Sequence, residues 1–282
     1  MKFDKKQIKL ITFDFDGTSL QRDQTWISFR NMHALKQCQK RGIICVPCTG
    51  RNANMFPPQI DRDLSFRYWV SSGGCRVIDR LTGEILYKQT FTPEETAQLC
   101  KLYEGRHIYS EVAAEGRLYF EQEVLEELHK YPVPPHHVWY LESGKQINVH
   151  GKLSDFFLEQ NIGAEKFNLY GVPEHMQQEI NDELRKLPFV EFLDGSKKDI
   201  QFFSTHTNRI KAVETLLAKL NLTWDNVMSI GDSMGMDSAM ISHAAFGVAT
   251  DNGDEELKKI ADFVTDRSDC DGFALAVEKF IL

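Results

Sequence analysis

Two aspartates, Asp14 and Asp16, stand one residue apart where the apolar run Ile8 to Phe13 ends, in the segment Asp14-Phe15-Asp16-Gly17-Thr18. Two carboxylates held this close repel one another, and the arrangement is costly unless a cation sits between them. A polar turn after a strand is the ordinary explanation of Asp beside Gly. Two further clusters argue for function instead, because Thr49-Gly50-Arg51 and Gly231-Asp232 also follow apolar runs that read as strands. Acidic and polar groups gathered at several strand ends form the pattern of a catalytic or ligand site.

The elements that must position these groups are legible from periodicity. Lys9 to Phe15 reads as a short strand. Thr25 to Arg41 reads as a helix, with Trp26, Phe29, Met32, Leu35 and Cys38 at helical spacing and Gly42 as its stop. Ile43 to Cys48 is a continuous apolar run of the kind buried in a parallel sheet. Strand, helix and strand within about fifty residues make a βαβ unit. Tyr68 to Ser72 predicts another strand. From about Tyr87 the pattern changes: helices are expected over Pro93 to Tyr103, Val124 to Lys130 and Glu174 to Leu187. Short strands alternate with them at His107 to Val112, Gly116 to Tyr119 and Phe167 to Tyr170. The opening pattern then returns, with an amphipathic helix over Asn208 to Leu220, a strand over Val227 to Ile230 and a strand over Phe246 to Ala249.

The expected fold class is therefore α/β. A doubly wound, Rossmann-like parallel sheet is built from residues 1–86 and 199–282, and an inserted α/β cap spans residues 87–198. Sites in such sheets lie beyond the carboxyl ends of the strands. The cap is expected to open and close over the core and to set specificity. Glu111, Arg117 and Lys197 are charged candidates for that task, although surface positions are the commoner use of such residues.

Bulk properties narrow the partners. A net charge of −8 opposes a nucleic-acid ligand, since a polyanion wants a basic face. No stretch approaches the roughly 20 apolar residues of a membrane helix. The apolar run near the N-terminus is too short for a signal segment, and Asp14 interrupts it, so a cytoplasmic location is expected. Cys45-Val46-Pro47-Cys48 matches a redox pattern, but it lies in a predicted strand. Residues three apart in a strand point to opposite faces, roughly 10 Å apart, so core cysteines are expected.

Asp14-Phe15-Asp16-Gly17-Thr18 and Thr49-Gly50-Arg51 are similar to the first two motifs of the haloacid dehalogenase superfamily. The resemblance runs nearly end to end and reaches Ala261-Asp262-Phe263-Val264-Thr265 and Asp271-Gly272-Phe273. It is nearest to the Cof-type, sugar-phosphatase-like branch, whose α/β cap lies between the second and third motifs. The resemblance implies a phosphatase acting on a small phosphorylated metabolite, with a sugar phosphate as one case. Asp14 would be the nucleophile that forms an aspartyl-phosphate, and Asp16 the general acid and base. Asp14, the backbone carbonyl of Asp16 and Asp232 would hold Mg²⁺, while Thr49 and the Gly50 amide would hold a phosphoryl oxygen.

Two motifs depart from the family pattern. Where a lysine is usual, the position 23 residues before Asp232 holds Arg209. Lys211 is nearby, but two residues along a helix turns a side chain to the far side. Ala212, Val213 and Leu216 fall on the family's apolar positions in the Arg209 register. Arg209 is accordingly expected to contact Asp14 and the phosphoryl group. The fourth motif reads Gly231-Asp232-Ser233-Met234-Gly235-Met236-Asp237, and Asp237 is implied to orient the metal's waters. A phosphomutase of the phosphomannomutase type and a non-catalytic phospho-ligand sensor are the alternatives.

Overall fold

The computed structural model of this chain describes residues 4–193 and 199–282. The chain divides into two compact units: Met1–Arg51, Phe56–Lys88 and Arg209–Leu282 make one, and Asn52–Met55 with Gln89–Asn208 make the other.

In the first unit, five strands form a sheet in the order Phe263–Thr265, Phe246–Thr250, Val227–Gly231, Leu10–Phe13, Ile44–Pro47. All neighbours are parallel. Leu10–Phe13 and Val227–Gly231 are buried at every residue, so these strands read as unbroken apolar runs without alternation. Register matters for function. Phe13 lies opposite both Ile230 and Pro47, which brings the next residues, Asp14, Gly231 and Cys48, to one level at the carboxyl end of the sheet. An isolated parallel bridge from Cys48 to Val70 adds the strand Tyr68–Ser71 beside Thr49. That strand continues into an antiparallel meander through Arg76–Asp79 and Glu84–Lys88.

The first helix, Phe29–Lys40, starts later than its periodicity predicts. Residues before it fold into a tight hairpin closed by a Leu20–Ile27 bridge, with Gln24 in the left-handed region. Ser28 then caps the helix by accepting from the Asn31 N–H. The helix Arg209–Leu220 buries Ala212, Val213, Leu216 and Leu217 against the sheet core, the phase expected of it. The helix Met234–His243 begins directly after Ser233, whose side chain accepts from the Met236 N–H and caps it there. Cys45 and Cys48 are buried in the core, with the Cys48 sulfur 3.2 Å from that of Met240.

The second unit holds a six-stranded sheet in the order Val190–Leu193, Ile200–Ser204, Lys166–Tyr170, Tyr109–Ala114, Arg117–Glu121, Ile147–Val149. Its pairings are antiparallel except the last. One face packs on Pro93–Lys101, Leu153–Glu159 and Glu174–Arg185 through Leu99, Phe157, Phe167 and Leu184. The expected return to the core at 199 is corrected here. Ile200–Ser204 pairs with Lys166–Tyr170 and belongs to this sheet, so the change of unit falls between Asn208 and Arg209. Among the described residues, no helix is long and apolar enough to cross a membrane.

Candidate active site

The carboxyl end of the parallel sheet places the acidic residues. Asp14 leaves its strand with its N–H donated to the Ile230 carbonyl at 3.2 Å, and Ser19 Oγ donates to its carbonyl at 2.7 Å. Ligand oxygens of Asp14, Asp232 and Asp237 all lie within 4.8 Å of one another. Asp14 Oδ1 is buried and, among the described residues, has no hydrogen-bond partner. Asp232 Oδ1 accepts from the Thr18 hydroxyl at 2.8 Å. Asp237 lies at the start of its helix, where Oδ2 accepts the backbone N–H groups of Asp232 and Ser233, each at 3.0 Å.

Such closeness requires small residues. Gly17 sits at φ 71°, and a side-chain carbon there would come within 2.1 Å of Asp232 Oδ2. Gly231 plays the same part on the other side, since an added carbon would stand 2.4 Å from Asp237 Cγ. Any larger residue at either position would push the carboxylates apart.

The electrostatics follow from burial and like charge. Burial raises the Asp14 carboxyl well above its ordinary range, and repulsion from Asp237, Asp232 and Asp16 adds to it. A hydrogen bond with the Thr49 hydroxyl pulls weakly the other way. Asp232 is pushed up to about 8, first by burial and then by Asp237. Asp237 is raised by burial and partly relieved by Arg209. Without a cation these groups cannot all be ionised at neutral pH. An orphaned buried carboxylate oxygen within an all-oxygen donor set fits a hard divalent cation.

Thr49 is buried, with its N–H on the Val70 carbonyl at 3.0 Å and its own carbonyl accepting from the Gly73 N–H at 3.0 Å. Gly50 follows it, half-buried, on the turn that leads to Arg51. Asp16 is turned toward Arg51, whose Nε and Nη2 donate to its two oxygens at 2.7 and 2.5 Å. Arg51 was not foreseen as a site residue, although it completes the threonine-glycine-arginine segment in which the signal lay. Thr18 and Gly17 were likewise carried only as parts of their motif.

The expected Arg209–Asp14 contact is not formed. Arg209 donates instead to Asp237 Oδ1 at 3.4 Å, to the Met236 carbonyl and to the Gly73 carbonyl at 3.3 Å. The start of the helix Arg209–Leu220 packs closely on Gly74, where an added side-chain carbon would stand 2.8 Å from Arg209 Cα. Lys211 is exposed on the other side of the helix. Glu111 is also not the surface charge expected of it. It is buried in the second unit, 2.7 Å from His137 Nδ1 and 3.1 Å from the Tyr109 hydroxyl. Arg117 is exposed, and Lys197 lies outside the described residues.

A parallel sheet with carboxylates converging from two adjacent strand ends, beside a buried threonine, is the architecture of an α/β protein whose candidate site lies at the carboxyl edge of the sheet. A family model described as haloacid dehalogenase-like hydrolase matches residues 11–277, and the chain belongs to that family. It is 28% identical over 275 residues to a 5-amino-6-(5-phospho-D-ribitylamino)uracil phosphatase of Bacillus subtilis, covering 98% of this chain and 96% of that protein. A second Bacillus subtilis phosphatase is 27% identical over 286 residues, covering 95% and 98%. Among solved structures, a haloacid dehalogenase-like hydrolase from Bacteroides thetaiotaomicron superposes with a TM-score of 0.80 at 23% identity, covering 97% of this chain and all of that one. A sugar phosphatase of HAD subclass IIB superposes with a TM-score of 0.74 at 20% identity, covering 96% and 98%. At such identities the structural matches speak for the fold.

Proposed function

We propose that this chain is a Mg²⁺-dependent phosphatase that hydrolyses a small phosphorylated metabolite through an aspartyl-phosphate on Asp14. The observation that carries the reading is the buried Asp14 Oδ1, without a hydrogen-bond partner among the described residues and grouped with the carboxylates of Asp232 and Asp237. The phosphorylated ribityl compound named for one relative suggests a sugar or polyol phosphate as the substrate class.

Asp14, Asp232 and the Asp16 backbone carbonyl would hold Mg²⁺, and Asp237 would orient its waters. The cation, when bound, offsets the charge of these carboxylates and of the incoming phosphate. In the first displacement Asp14 forms a bond to phosphorus, the ester P–O bond breaks, and the leaving oxygen takes its electron pair and a proton from Asp16. In the second, Asp16 takes a proton from water, the water oxygen bonds to phosphorus, and Asp14 is released with free phosphate. Thr49 and the Gly50 N–H would steady a phosphoryl oxygen in both steps.

The test is phosphate release over a panel of phosphorylated sugars and polyols, with Mg²⁺ and with a chelator. Release should require Mg²⁺, and Asp14→Asn should abolish it while leaving thermal unfolding cooperative. Undiminished turnover in a folded Asp14→Asn protein removes Asp14 as nucleophile. Isomerised product without free phosphate would mark a mutase instead.

A further inference from the structure

The Arg51 side chain is only 6% exposed, while that of Asp16 is 37% exposed. Its Nε and Nη2 grip the two Asp16 oxygens as a planar fork, and Nη2 also donates to the Gln24 carbonyl at 2.7 Å. The backbone beneath the arginine is itself fixed. Its N–H meets the Thr49 hydroxyl at 3.2 Å, and its carbonyl accepts from the Ser72 N–H at 2.8 Å. Gln24 is held by the hairpin that Leu20 and Ile27 close, and Gln59 bonds both the N–H and the carbonyl of Ile27, at 3.0 and 2.6 Å. Asp16, by contrast, lies in a turn with non-helical backbone beside Gly17 at φ 71°, which leaves its side chain to be aimed by a partner.

We propose that Arg51 is a positioning residue: it aims the Asp16 carboxylate for proton transfer, rather than clamping the phosphoryl group. An arginine one residue past the phosphate-holding glycine would ordinarily be assigned to phosphate. Here two of its three guanidinium nitrogens are committed to Asp16 in the bidentate geometry that arginine and carboxylate favour. The inference rests on the proposed acid–base role of Asp16.

The experiment compares two esters in purified full-length protein with Mg²⁺. β-Glycerophosphate loses an alkoxide that must be protonated as it leaves, whereas p-nitrophenyl phosphate loses a phenolate that needs no proton. Arg51→Ala should lower kcat/KM on β-glycerophosphate about a hundredfold, the lower range of a general-acid effect, and on p-nitrophenyl phosphate by about fivefold at most, because kcat/KM reports formation of the aspartyl-phosphate and not its hydrolysis, which both esters share. Inhibition by inorganic phosphate should be unchanged. Asp16→Asn should show the same selectivity between the esters, and adding Arg51→Ala to it should lower the rate no further. Arg51→Lys keeps the charge without the fork, so it should show the same selective loss to a smaller degree; it also serves as the reading if the alanine variant fails to fold.

Equal losses of kcat/KM on both esters, or weakened phosphate inhibition, would overturn the proposal and make Arg51 a phosphate clamp. If Asp16→Asn shows the selectivity and neither Arg51 variant does, the positioning role alone fails. If Asp16→Asn lacks it, the acid–base assignment falls and this inference with it. A wild-type protein that releases phosphate from neither ester nor from the panel of phosphorylated sugars and polyols overturns the phosphatase reading itself.

Discussion

Arg209 binds Asp237 rather than Asp14: Nη1 lies 3.4 Å from Asp237 Oδ1 and also donates to the Met236 carbonyl. Asp237 in turn accepts the backbone N–H groups of Asp232 and Ser233. The arginine that replaces the family's usual lysine therefore acts on the acidic cluster from behind, through the residue that shapes the Asp232 loop.

This relationship predicts that Arg209→Ala weakens Mg²⁺ binding by roughly ten- to a hundredfold, the usual effect of removing a group that orients metal ligands. Lys211→Ala, at an exposed position, should leave binding unchanged. Calorimetric titration of both variants with Mg²⁺ checks this. A loss confined to the lysine variant would contradict the register.

A pH dependence follows from the raised carboxyls. Asp232 is pushed up to about 8 from an ordinary value of 3.8, so the folded metal-free protein keeps a proton that the unfolded chain releases at much lower pH. Its stability contribution is fully present below pH 3.8 and is lost as pH rises through about 8. Asp14, raised by burial and by its acidic neighbours, acts in the same direction. Mg²⁺ must displace these protons, so its stabilising effect should grow with pH. Thermal melts with and without Mg²⁺, taken between about pH 5 and 8.5, should show a gap that widens as pH rises. A gap that narrows would rule out this cluster as the metal's ligands.

The buried Glu111–His137 pair yields a stability prediction for the second unit. Burial alone would raise the Glu111 carboxyl, but His137, Asn168 and the Tyr109 hydroxyl hold it below its ordinary range. Glu111→Ala would leave the buried His137 and Tyr109 without this acceptor, at a cost of about 3 kcal/mol. A depressed carboxyl contributes stability above its unfolded range and loses it as pH falls through the folded value. Urea unfolding should therefore show a deficit for Glu111→Ala that is large at neutral pH and shrinks on acidification. A deficit independent of pH would point to lost packing alone.

Some of this was determined by the sequence alone. Strand ends were readable because an unbroken apolar run can only be buried, and the chain must turn polar where it emerges, at Asp14, Thr49 and Asp232. The phase of Arg209 was readable because helical spacing ties it covalently to Ala212, Val213 and Leu216. Partners across long separations were decided only in three dimensions. Arg51 meets Asp16 because the hairpin at Gln24 and the turn at Gly17 bring together residues 35 apart, and Glu111 meets His137 from an element 26 residues away. Arg209 meets Asp237 across 28 residues and its helix starts against Gly74, two contacts that no local pattern encodes. Ile200–Ser204 shows the same limit. An apolar segment of that length suits either sheet, and it was assigned by the backbone hydrogen bonds offered by Lys166–Tyr170, which exist only once the rest of the chain has folded.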